Sequence, residues 1–278
     1  QVKRLDAESL GTRVGLPRTP RELAPIVDQV NALLERLAAS FERERRFAAN
    51  VAHELRTPIS ELRSLADVGA RWPEDTASIV RFFDDVHDVA ERMERLIADL
   101  LLLARCQAGV EAVVTSPTDL RQLITSAWSA LAPGASAAGL RFRVELPEDL
   151  VVDSDAGKLR IVFANLLGNA VSYARPNSEV RCVGTRNGRT FRLDITNAAD
   201  PLSRADLDSL AEPFWRRDEA RSSAEHAGLG LSVVSALAAL LRLDLGFDQD
   251  RDGTFRVRLE GRVRDEGRSV YWDAARGG

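Results

Sequence analysis

The stretch Phe47-Ala-Ala-Asn-Val-Ala-His53-Glu54-Leu-Arg-Thr57-Pro-Ile-Ser60 has the residue spacing of an amphipathic helix. At about 100° per residue, four apolar residues fall within about 80° of one another and form one face: Val51, Leu55, Ile59 and Leu62. His53 falls on the opposite face, and Thr57 follows one turn later on the same side. Glu54 is the next residue after His53. The pattern therefore predicts a helix that presents an imidazole to water beside a carboxylate and a hydroxyl group.

A lone histidine on the polar face of a helix is usually an ordinary surface residue. Here the run His-Glu-Leu-Arg-Thr-Pro, preceded by Phe-Ala-Ala-Asn-Val-Ala, resembles the phospho-acceptor motif of two-component sensor histidine kinases. The resemblance implies that His53 carries the phosphoryl group and that Glu54 acts on its imidazole proton. It also implies that Thr57 positions water for a phosphatase reaction.

The composition limits the class of protein. A length of 278 residues predicts about two domains, and 45% hydrophobic with 29% charged residues suits a soluble fold. The net charge of −4 gives no reason to expect nucleic-acid binding. Cys106 and Cys182 lack the spacing of a metal site or a disulfide framework. No apolar run approaches the roughly 18 residues that span a bilayer, and the chain begins at Gln1 with neither a methionine nor a signal peptide, so we expect a fragment.

Residues 1–40 predict a connector and then a signalling helix. Apolar residues recur there at spacings of three and four, as in a coiled coil: Leu23, Ile26, Val27, Val30, Leu33, Leu34, Leu37 and Phe41. This stretch resembles the second half of a HAMP linker, and the alternative is simply a long amphipathic helix. The resemblance implies an upstream membrane helix that is absent from this sequence. The chain would then be the cytoplasmic portion of an inner-membrane protein.

Residues 41–110 predict a helical hairpin that dimerises. The first helix should end near Gly69, and Arg71-Trp72-Pro73-Glu74-Asp75 should form the turn to a second amphipathic helix. Two such helices bury only one face against each other, so two copies should form a four-helix bundle and a homodimer. His87 is interpreted as a surface or packing residue. The segment 105–114 is the expected hinge to the next domain.

Residues 111–261 predict an α+β sandwich, in which one sheet is covered by a layer of helices. The helices are expected at about 119–131, 156–174 and 228–241, with Asp155 as a cap. The strands are expected at 140–146, 179–184, 190–196, 243–248 and 254–260. Residues 262–278 are expected to form a charged tail.

Two motifs in this second domain point to a nucleotide site. Asn165 and Asn169 are four residues apart on one helical face, and an amide oxygen is a suitable neutral ligand for Mg²⁺. Gly228-Leu229-Gly230 stands just before a helix, where backbone N–H groups can approach phosphates. Taken alone, the asparagines could be polar surface and the glycines an ordinary turn.

The order of these motifs, with Phe214 and Gly253-Thr254, resembles the GHKL-type ATP-binding domain, and it begins about 110 residues after His53. The resemblance implies ATP and Mg²⁺ as cofactors, with Asn169 as the metal ligand and Arg216 and Arg221 on a lid. The nucleotide-binding residues that it implies are Asn165, Asn169, Tyr173, Asn197, Phe214, Arg216, Arg221, Gly228, Leu229, Gly230 and Thr254.

The chain departs from this family at the adenine loop, which usually reads Asp-x-Gly-x-Gly. The alternating strand Phe191, Leu193, Ile195 leads in register to Asn197, and Ala199 and Pro201 fill the glycine positions. Ser172 stands where a basic residue is common, and His226 stands at a lid glycine. An asparagine oxygen can still accept a hydrogen bond from adenine, but without the strength of a charge. We therefore expect ATP binding that is weaker than usual.

The sequence thus predicts a protein-histidine kinase that autophosphorylates on His53 and then phosphorylates an aspartate of a response regulator. The alternative is a regulator phosphatase or scaffold that binds ATP weakly. A gyrase-like or chaperone-like ATPase is disfavoured, because no glutamate lies on the asparagine helix between Lys158 and Pro176. A purely structural coiled coil would leave the second domain unexplained.

Overall fold

The computed structural model describes residues 24–71, 76–148, 150–217 and 227–264. Its elements in chain order are α1 (Ala24–Arg71), α2 (Thr76–Gln107), β1 (Ser116–Asp119), α3 (Leu120–Ala137), β2 (Arg141–Glu145), β3 (Val151–Ser154), α4 (Ala156–Tyr173), β4 (Glu179–Asn187), β5 (Thr190–Ala198), α5 (Arg204–Ser209), α6 (Gly230–Leu241), β6 (Asp244–Gln249) and β7 (Thr254–Arg262). The predicted N-terminal connector, most of the hairpin turn, the lid residues Arg221 and His226, and the tail beyond residue 264 lie outside the described residues.

The chain divides into two compact units, residues 1–93 and 94–278. In the first unit, α1 is a continuous helix of 48 residues that ends close to the predicted position and accommodates Pro58 in its interior. The two helices are joined by an ion pair in which Nη2 of Arg92 lies 2.6 Å from Oε2 of Glu61. Val89 of α2 is buried. The predicted helical hairpin is therefore confirmed.

The second unit is built on a five-stranded sheet in the order β2-β4-β5-β7-β6. The β2–β4 pair is parallel and the other pairs are antiparallel. Helix α4 packs against both α3 and α6, which gives the helical layer. The core lies between the sheet and this layer, and its fully buried side chains include Phe163, Leu167, Leu193 and Leu237. The predicted α+β sandwich is confirmed.

Burial alternates along β5, because successive strand residues point to opposite faces of a sheet. Phe191, Leu193, Ile195 and Asn197 are all buried on the helix-covered side. On the other side, charged residues of neighbouring strands pair, as with Arg258 Nε and Asp194 Oδ1 at 3.0 Å. This alternation brings Asn197 to the end of the strand on the face that is covered by helices.

Four elements differ from the sequence prediction. β1 and β3 form a separate two-stranded antiparallel sheet, and α5 is a short helix with a capping box at Ser203 and Asp206. Helix α3 continues to Ala137 instead of ending near Leu131. It passes through Pro133 because packing buries the final turn, where Ala135 is 2% exposed. Within the described ranges, none of the helices combines the length and the apolar character that crossing a bilayer requires.

Candidate phospho-acceptor and nucleotide sites

His53 lies on the exposed face of α1, as its helical position predicts. It lines an open concavity of about 430 Å³ together with Arg56, Thr57, Ser60, Glu61 and Ser64. Every one of these side chains is polar or charged. Glu54, the neighbouring carboxylate, is half-buried. The imidazole therefore stands at an open surface, lined by polar residues, that a second protein or a nucleotide phosphate can approach.

His87 provides a contrast on α2. Its side chain is exposed, and Nε2 lies 3.2 Å from Oε1 of Glu91, one helical turn away. This position agrees with the interpretation of His87 as a surface residue. His87 is not among the residues that line the concavity around His53.

In the second unit, the two helices that carry the asparagine and glycine motifs touch each other. Nδ2 of Asn165 donates a hydrogen bond to the carbonyl oxygen of Ile161 at 3.0 Å. The amide oxygen of Asn165 consequently faces α6, and a Cβ atom placed on Gly230 would lie 2.7 Å from it. A side chain at Gly230 would therefore collide with Asn165. The amide oxygen of Asn165 and the backbone of Gly230 therefore lie side by side at the start of α6.

The beginning of α6 has an uncommon feature for a helix in this domain. Asp119, Asp155 and Ser203 cap the starts of α3, α4 and α5 with side-chain hydrogen bonds. The N-cap of α6 is Leu229, which makes no such bond. The first N–H groups of a helix lack intrahelical partners, so an uncapped start suits an anion. Leu229 itself is only 2% exposed, so its apolar side chain belongs to the core.

The Phe214 segment is held against the glycine motif. The Phe214 N–H donates to the carbonyl oxygen of Gly228 at 2.9 Å. Both residues have left-handed backbone, with φ of +66° for Phe214 and +71° for Gly228. A Cβ on Gly228 would lie 2.9 Å from the carbonyl carbon of Phe214. The structure thus brings together two motifs that are about 14 residues apart in sequence.

Asn197 stands at the end of β5 with 4% of its surface exposed. Its Nδ2 donates to the carbonyl oxygen of Ala198 at 3.4 Å, which leaves Oδ1 as the acceptor for a ligand. In the adjacent strand, Thr254 is the register partner of Ala198, and Phe255 is the partner of Asn197. Asn197 and Thr254 therefore lie at the same end of the sheet.

The remaining predicted residues are placed as follows. Asn169 is half-buried on α4, one turn after Asn165, and Tyr173 is exposed in the last turn of the same helix. Arg216 is half-buried, shortly after Phe214. Arg221 lies outside the described residues, so its position relative to the others is not defined.

These residues fit a magnesium nucleotide. Gly228 and Gly230 let the Phe214 backbone and the Asn165 side chain approach the start of α6 closely, and the uncapped start of this helix offers N–H groups to phosphates. The amide oxygen of Asn165 faces the same spot, and neutral amide oxygens suit Mg²⁺ when phosphates supply the other ligands. The group would be held between α4 and α6, with Asn197 at the end of the sheet for a base.

Sequence analysis missed a largely buried ionic cluster at the start of α4. Nζ of Lys158 lies 3.0 Å from Oε1 of Glu111 and 3.2 Å from Oδ2 of Asp155. Asp155 also caps α4 and accepts a hydrogen bond from the Val114 N–H at 2.9 Å. Only the cap was predicted, because Glu111 and Lys158 are 47 residues apart and carry no shared local pattern.

Hydrogen bonding decides the ionisation of this cluster. Burial by itself raises the pKa of Asp155, but hydrogen bonds from Val114 and Lys158 lower that pKa by more. Burial lowers the pKa of Lys158, and the hydrogen bonds to Glu111 and Asp155 outweigh it, so the pKa of Lys158 is raised. Asp155 and Lys158 therefore stay charged, and their contacts fasten Glu111 and Val114, in the second half of the predicted hinge segment, to the second unit.

Comparison with known proteins finds a matching domain family for each of the two units. Residues 43–109 match the His Kinase A (phospho-acceptor) domain, and residues 154–265 match the histidine kinase-, DNA gyrase B- and HSP90-like ATPase family. The chain belongs to the two-component sensor histidine kinases. Among sensor kinases of known sequence, the sensor protein CzcS of Cupriavidus metallidurans is 30% identical over 263 residues, which are 93% of this chain and 54% of that protein. The chain thus spans about half the length of the curated relatives that it matches.

Solved histidine kinases share the fold. The structure of AdeS of Acinetobacter baumannii matches with a TM-score of 0.62 at 19% identity, and covers 77% of this chain and 98% of that chain. The structure of the histidine kinase ThkA in complex with the response regulator TrrA matches with a TM-score of 0.59 at 17% identity, and covers 84% of this chain and 67% of that chain. At these identities the likeness concerns the fold alone.

Proposed function

We propose that this histidine kinase autophosphorylates on His53 with ATP as donor and then transfers the phosphoryl group to an aspartate of a response regulator. The observation that carries the proposal is the exposed imidazole of His53 at a polar concavity on an otherwise amphipathic helix. A nucleophile that must meet both a nucleotide and a partner protein needs such exposure.

The chemistry at His53 requires a neutral ring. One ring nitrogen attacks the γ-phosphorus of ATP, an N–P bond forms, and the bond from that phosphorus to the bridging oxygen breaks to release ADP. The proton on the other ring nitrogen passes to Glu54, which restores a neutral ring. The half-buried position of Glu54, adjacent in sequence to His53, supports its role as the base or orienting group.

Binding of the nucleotide falls to the second unit. The backbone at Gly228 and Gly230 and the start of α6 would hold the phosphates, with Asn169 as the magnesium ligand and Asn165 in support. Magnesium supplies charge neutralisation at the phosphates. Asn197 and Tyr173 would contact the adenine. The residues Phe214, Arg216, Arg221, Leu229 and Thr254 would complete the nucleotide site.

The same helix face supports a second reaction with the regulator. Thr57 lies one turn after His53 and lines the same concavity. Its hydroxyl can orient a water molecule towards a phosphorylated aspartate of a docked regulator, which would give phosphatase activity. A kinase of this family is solved with its response regulator, which favours this class of partner for the present chain.

We further propose that the chain works as a homodimer. Large apolar side chains of the first unit are exposed in the single chain, including Ile59, Val68, Val80 and Phe83. A second copy of the hairpin would cover such faces in a four-helix bundle. Because the curated relatives are sensor proteins of about twice the matched length, we propose that the chain is the cytoplasmic part of a membrane-anchored sensor, with residues 1–40 as its HAMP-derived input helix. The proposed domains are then 41–110 for dimerisation and phosphotransfer, 111–261 for ATP binding, and 262–278 for the tail.

Incubation with γ-labelled ATP and Mg²⁺ tests the main proposal. Wild type should acquire a label that is labile in acid and stable in alkali, as a phosphohistidine is. His53→Gln should abolish the label, because the nucleophile is absent. Asn169→Ala should abolish it while His53 remains in place, because the magnesium ligand is lost. His87→Gln is the matched control, since it removes the other described exposed histidine, and it should label like wild type.

Labelling that survives in His53→Gln, or that disappears equally in His87→Gln, would refute the assignment of the acceptor. An unlabelled wild type that still removes phosphate from a phosphorylated regulator would favour the second function, a phosphatase or scaffold that binds ATP weakly. The feature that favours this alternative is the altered loop after β5, where Asn197, Ala199 and Pro201 replace an acid and two glycines of the family pattern.

A further inference from the structure

Gln249, the last residue of β6, hydrogen bonds with both ends of its amide to neighbouring backbone. Its Oε1 accepts from the N–H of Leu202 at 2.6 Å. Its Nε2 donates to the carbonyl oxygen of Asp200 at 3.1 Å and to that of Gly253 at 3.4 Å. Two of these three partners belong to the segment 198–202, which begins at the last residue of β5. Gln249 therefore bridges this segment to the turn between β6 and β7.

The rest of the segment is fixed by backbone bonds at its beginning. The N–H of Arg175 donates to the carbonyl oxygen of Ala198 at 2.8 Å, and the N–H of Ala199 donates to that of Gly253 at 2.9 Å. These bonds hold residues 198 and 199. Pro201 has no N–H and disfavours helical backbone at Asp200. Around this proline, Gln249 bonds the backbone of Asp200 and Leu202, and the exposed Arg175 side chain lies 3.9 Å from the Asp200 carboxylate. An exposed ion pair of this length contributes little, so the Gln249 bonds are the main restraint on this part of the segment.

The segment follows Asn197 directly, so its path controls the end of the strand where a base would bind. A loop with two glycines is free to adapt to a ligand, since glycine has the widest backbone freedom. Here alanine and proline occupy those positions, and a side-chain amide from the edge strand β6, two strands away from β5, holds the loop. The wall beside Asn197 is therefore formed before any ligand arrives.

We propose that Gln249 is a positioning residue for the purine base: it fixes segment 198–202 so that Asn197 and the adjoining backbone keep the orientation that recognises the base and its exocyclic amine. This inference rests on the proposed binding of ATP, and it goes beyond it by assigning a residue that no motif contains. Gln249 acts through the loop and makes no bond to the phosphates, which lie at the α6 end of the site.

A test separates the base from the phosphates. Binding of Mg-ATP and of Mg-tripolyphosphate, which has no base, is measured by calorimetry for wild type, Gln249→Ala and Gln249→Glu. Both variants should raise the Kd for ATP about tenfold, the equivalent of one lost hydrogen bond. The Kd for tripolyphosphate should stay within about twofold, because the start of α6 is unchanged. Gln122→Ala, at an exposed glutamine of α3, is the matched control and should bind both ligands like wild type.

Gln249→Glu is the second variant in case Gln249→Ala fails to fold. It keeps the acceptor for Leu202 and replaces the donor to Asp200 with a carboxylate oxygen that repels that carbonyl. In autophosphorylation, a positioning role for the base should raise KM for ATP and leave kcat unchanged, whereas loss of folded protein would lower the apparent kcat at unchanged KM.

Three results would overturn the inference. The first is an unchanged Kd for ATP in both variants. The second is an equal loss of affinity for ATP and tripolyphosphate, which would make Gln249 a general support of the fold. In both cases wild type still binds ATP, so the proposed function stands. The third is a wild type that binds no ATP, which overturns the proposed function together with this inference.

Discussion

Replacing Lys158 with methionine should destabilise the second unit by about 3 kcal/mol, because it leaves two carboxylates without their shared cation. The Lys158 and Glu111 side chains are only 12% and 17% exposed, and Nζ lies 3.0 Å from Glu111 and 3.2 Å from Asp155. Breaking a buried ion pair costs about 3–5 kcal/mol, and the residual solvent contact places this cluster at the low end of that range. For a domain of this size, about 3 kcal/mol corresponds to a Tm that is lower by about 6–12 °C.

The assay is urea unfolding at neutral pH, followed by far-UV circular dichroism and by tryptophan fluorescence, since Trp128 stacks on Phe142 inside this unit. The matched control is Arg192→Met. Nε of Arg192 lies 2.7 Å from Glu260, but the two side chains are 52% and 36% exposed. An exposed pair contributes about 0–1 kcal/mol, so the control should change the free energy of unfolding by no more than that.

The double variant with Glu111→Gln adds a second criterion. If Lys158 and Glu111 stabilise each other, the two changes should be non-additive by at least about 0.5 kcal/mol. A loss of less than about 1 kcal/mol in Lys158→Met, or a loss equal to that in Arg192→Met, would refute the reasoning.

The pKa shifts of Asp155 and Lys158 also predict the pH range over which these two residues stabilise the second unit. The folded-state pKa of Asp155 is lowered, so its stabilisation is present above the unfolded pKa of about 3.9 and is lost as pH falls through the folded value. The pKa of Lys158 is raised, so its stabilisation is present below about pH 10.4 and is lost as pH rises through the folded value. The effect of Lys158→Met should therefore be constant across neutral pH.

Three further predictions concern other parts of the chain. Gly228→Ala should lower the free energy of unfolding by about 1–3 kcal/mol through left-handed backbone strain, with a further loss from the clash with the Phe214 backbone, and it should weaken ATP binding. The control is Gly188→Ala, which has a φ of +58° but no atom within 4 Å of the added Cβ. Thermal unfolding of the control should show the cost of the backbone strain alone. Burial raises the pKa of Asp99 to about 6, against the opposing charge of Arg95, so stability should fall as pH rises from about 4 to 6; Asp99→Asn should remove that dependence in denaturation curves, and an unchanged slope would contradict the assignment. Phe83→Asp should convert the proposed dimer to a monomer by light scattering, because this side chain is 63% exposed on α2 and would become charged within the interface; His87→Asp, also exposed on α2, is the control.

Much of the architecture follows from local patterns in the sequence. The spacing of three and four in α1 and α2 predicted the hairpin, since an amphipathic face depends only on neighbouring turns. The alternation of Phe191, Leu193 and Ile195 predicted which face of β5 holds Asn197. Side chains along a strand alternate between the two faces of the sheet whatever packs against those faces, so the pattern is local. The cap at Asp155 was also predicted, because an N-cap depends only on the residue type that stands directly before a helix.

Other features depended on contacts between distant residues. β1 and β3 pair Ser116 with Ser154, and each has only four residues, so neither segment carries a periodic signal of its own. The final turn of α3 passes Pro133 because tertiary burial of Ala135 outweighs the local preference to stop. The local sequence argued for an end near Leu131, and that prediction was wrong.

The sequence by itself determined the family, the two-domain plan and the residue types of both candidate sites, because those are written as short motifs and periodic patterns. Only the tertiary structure decided that Asn165 faces Gly230, that Lys158 joins Glu111 to Asp155, and that Gln249 holds the loop after Asn197. Each of these contacts links segments that are dozens of residues apart. Their geometry comes from how the helices and strands pack, and a side chain that bonds to a remote backbone leaves no pattern in its own neighbourhood.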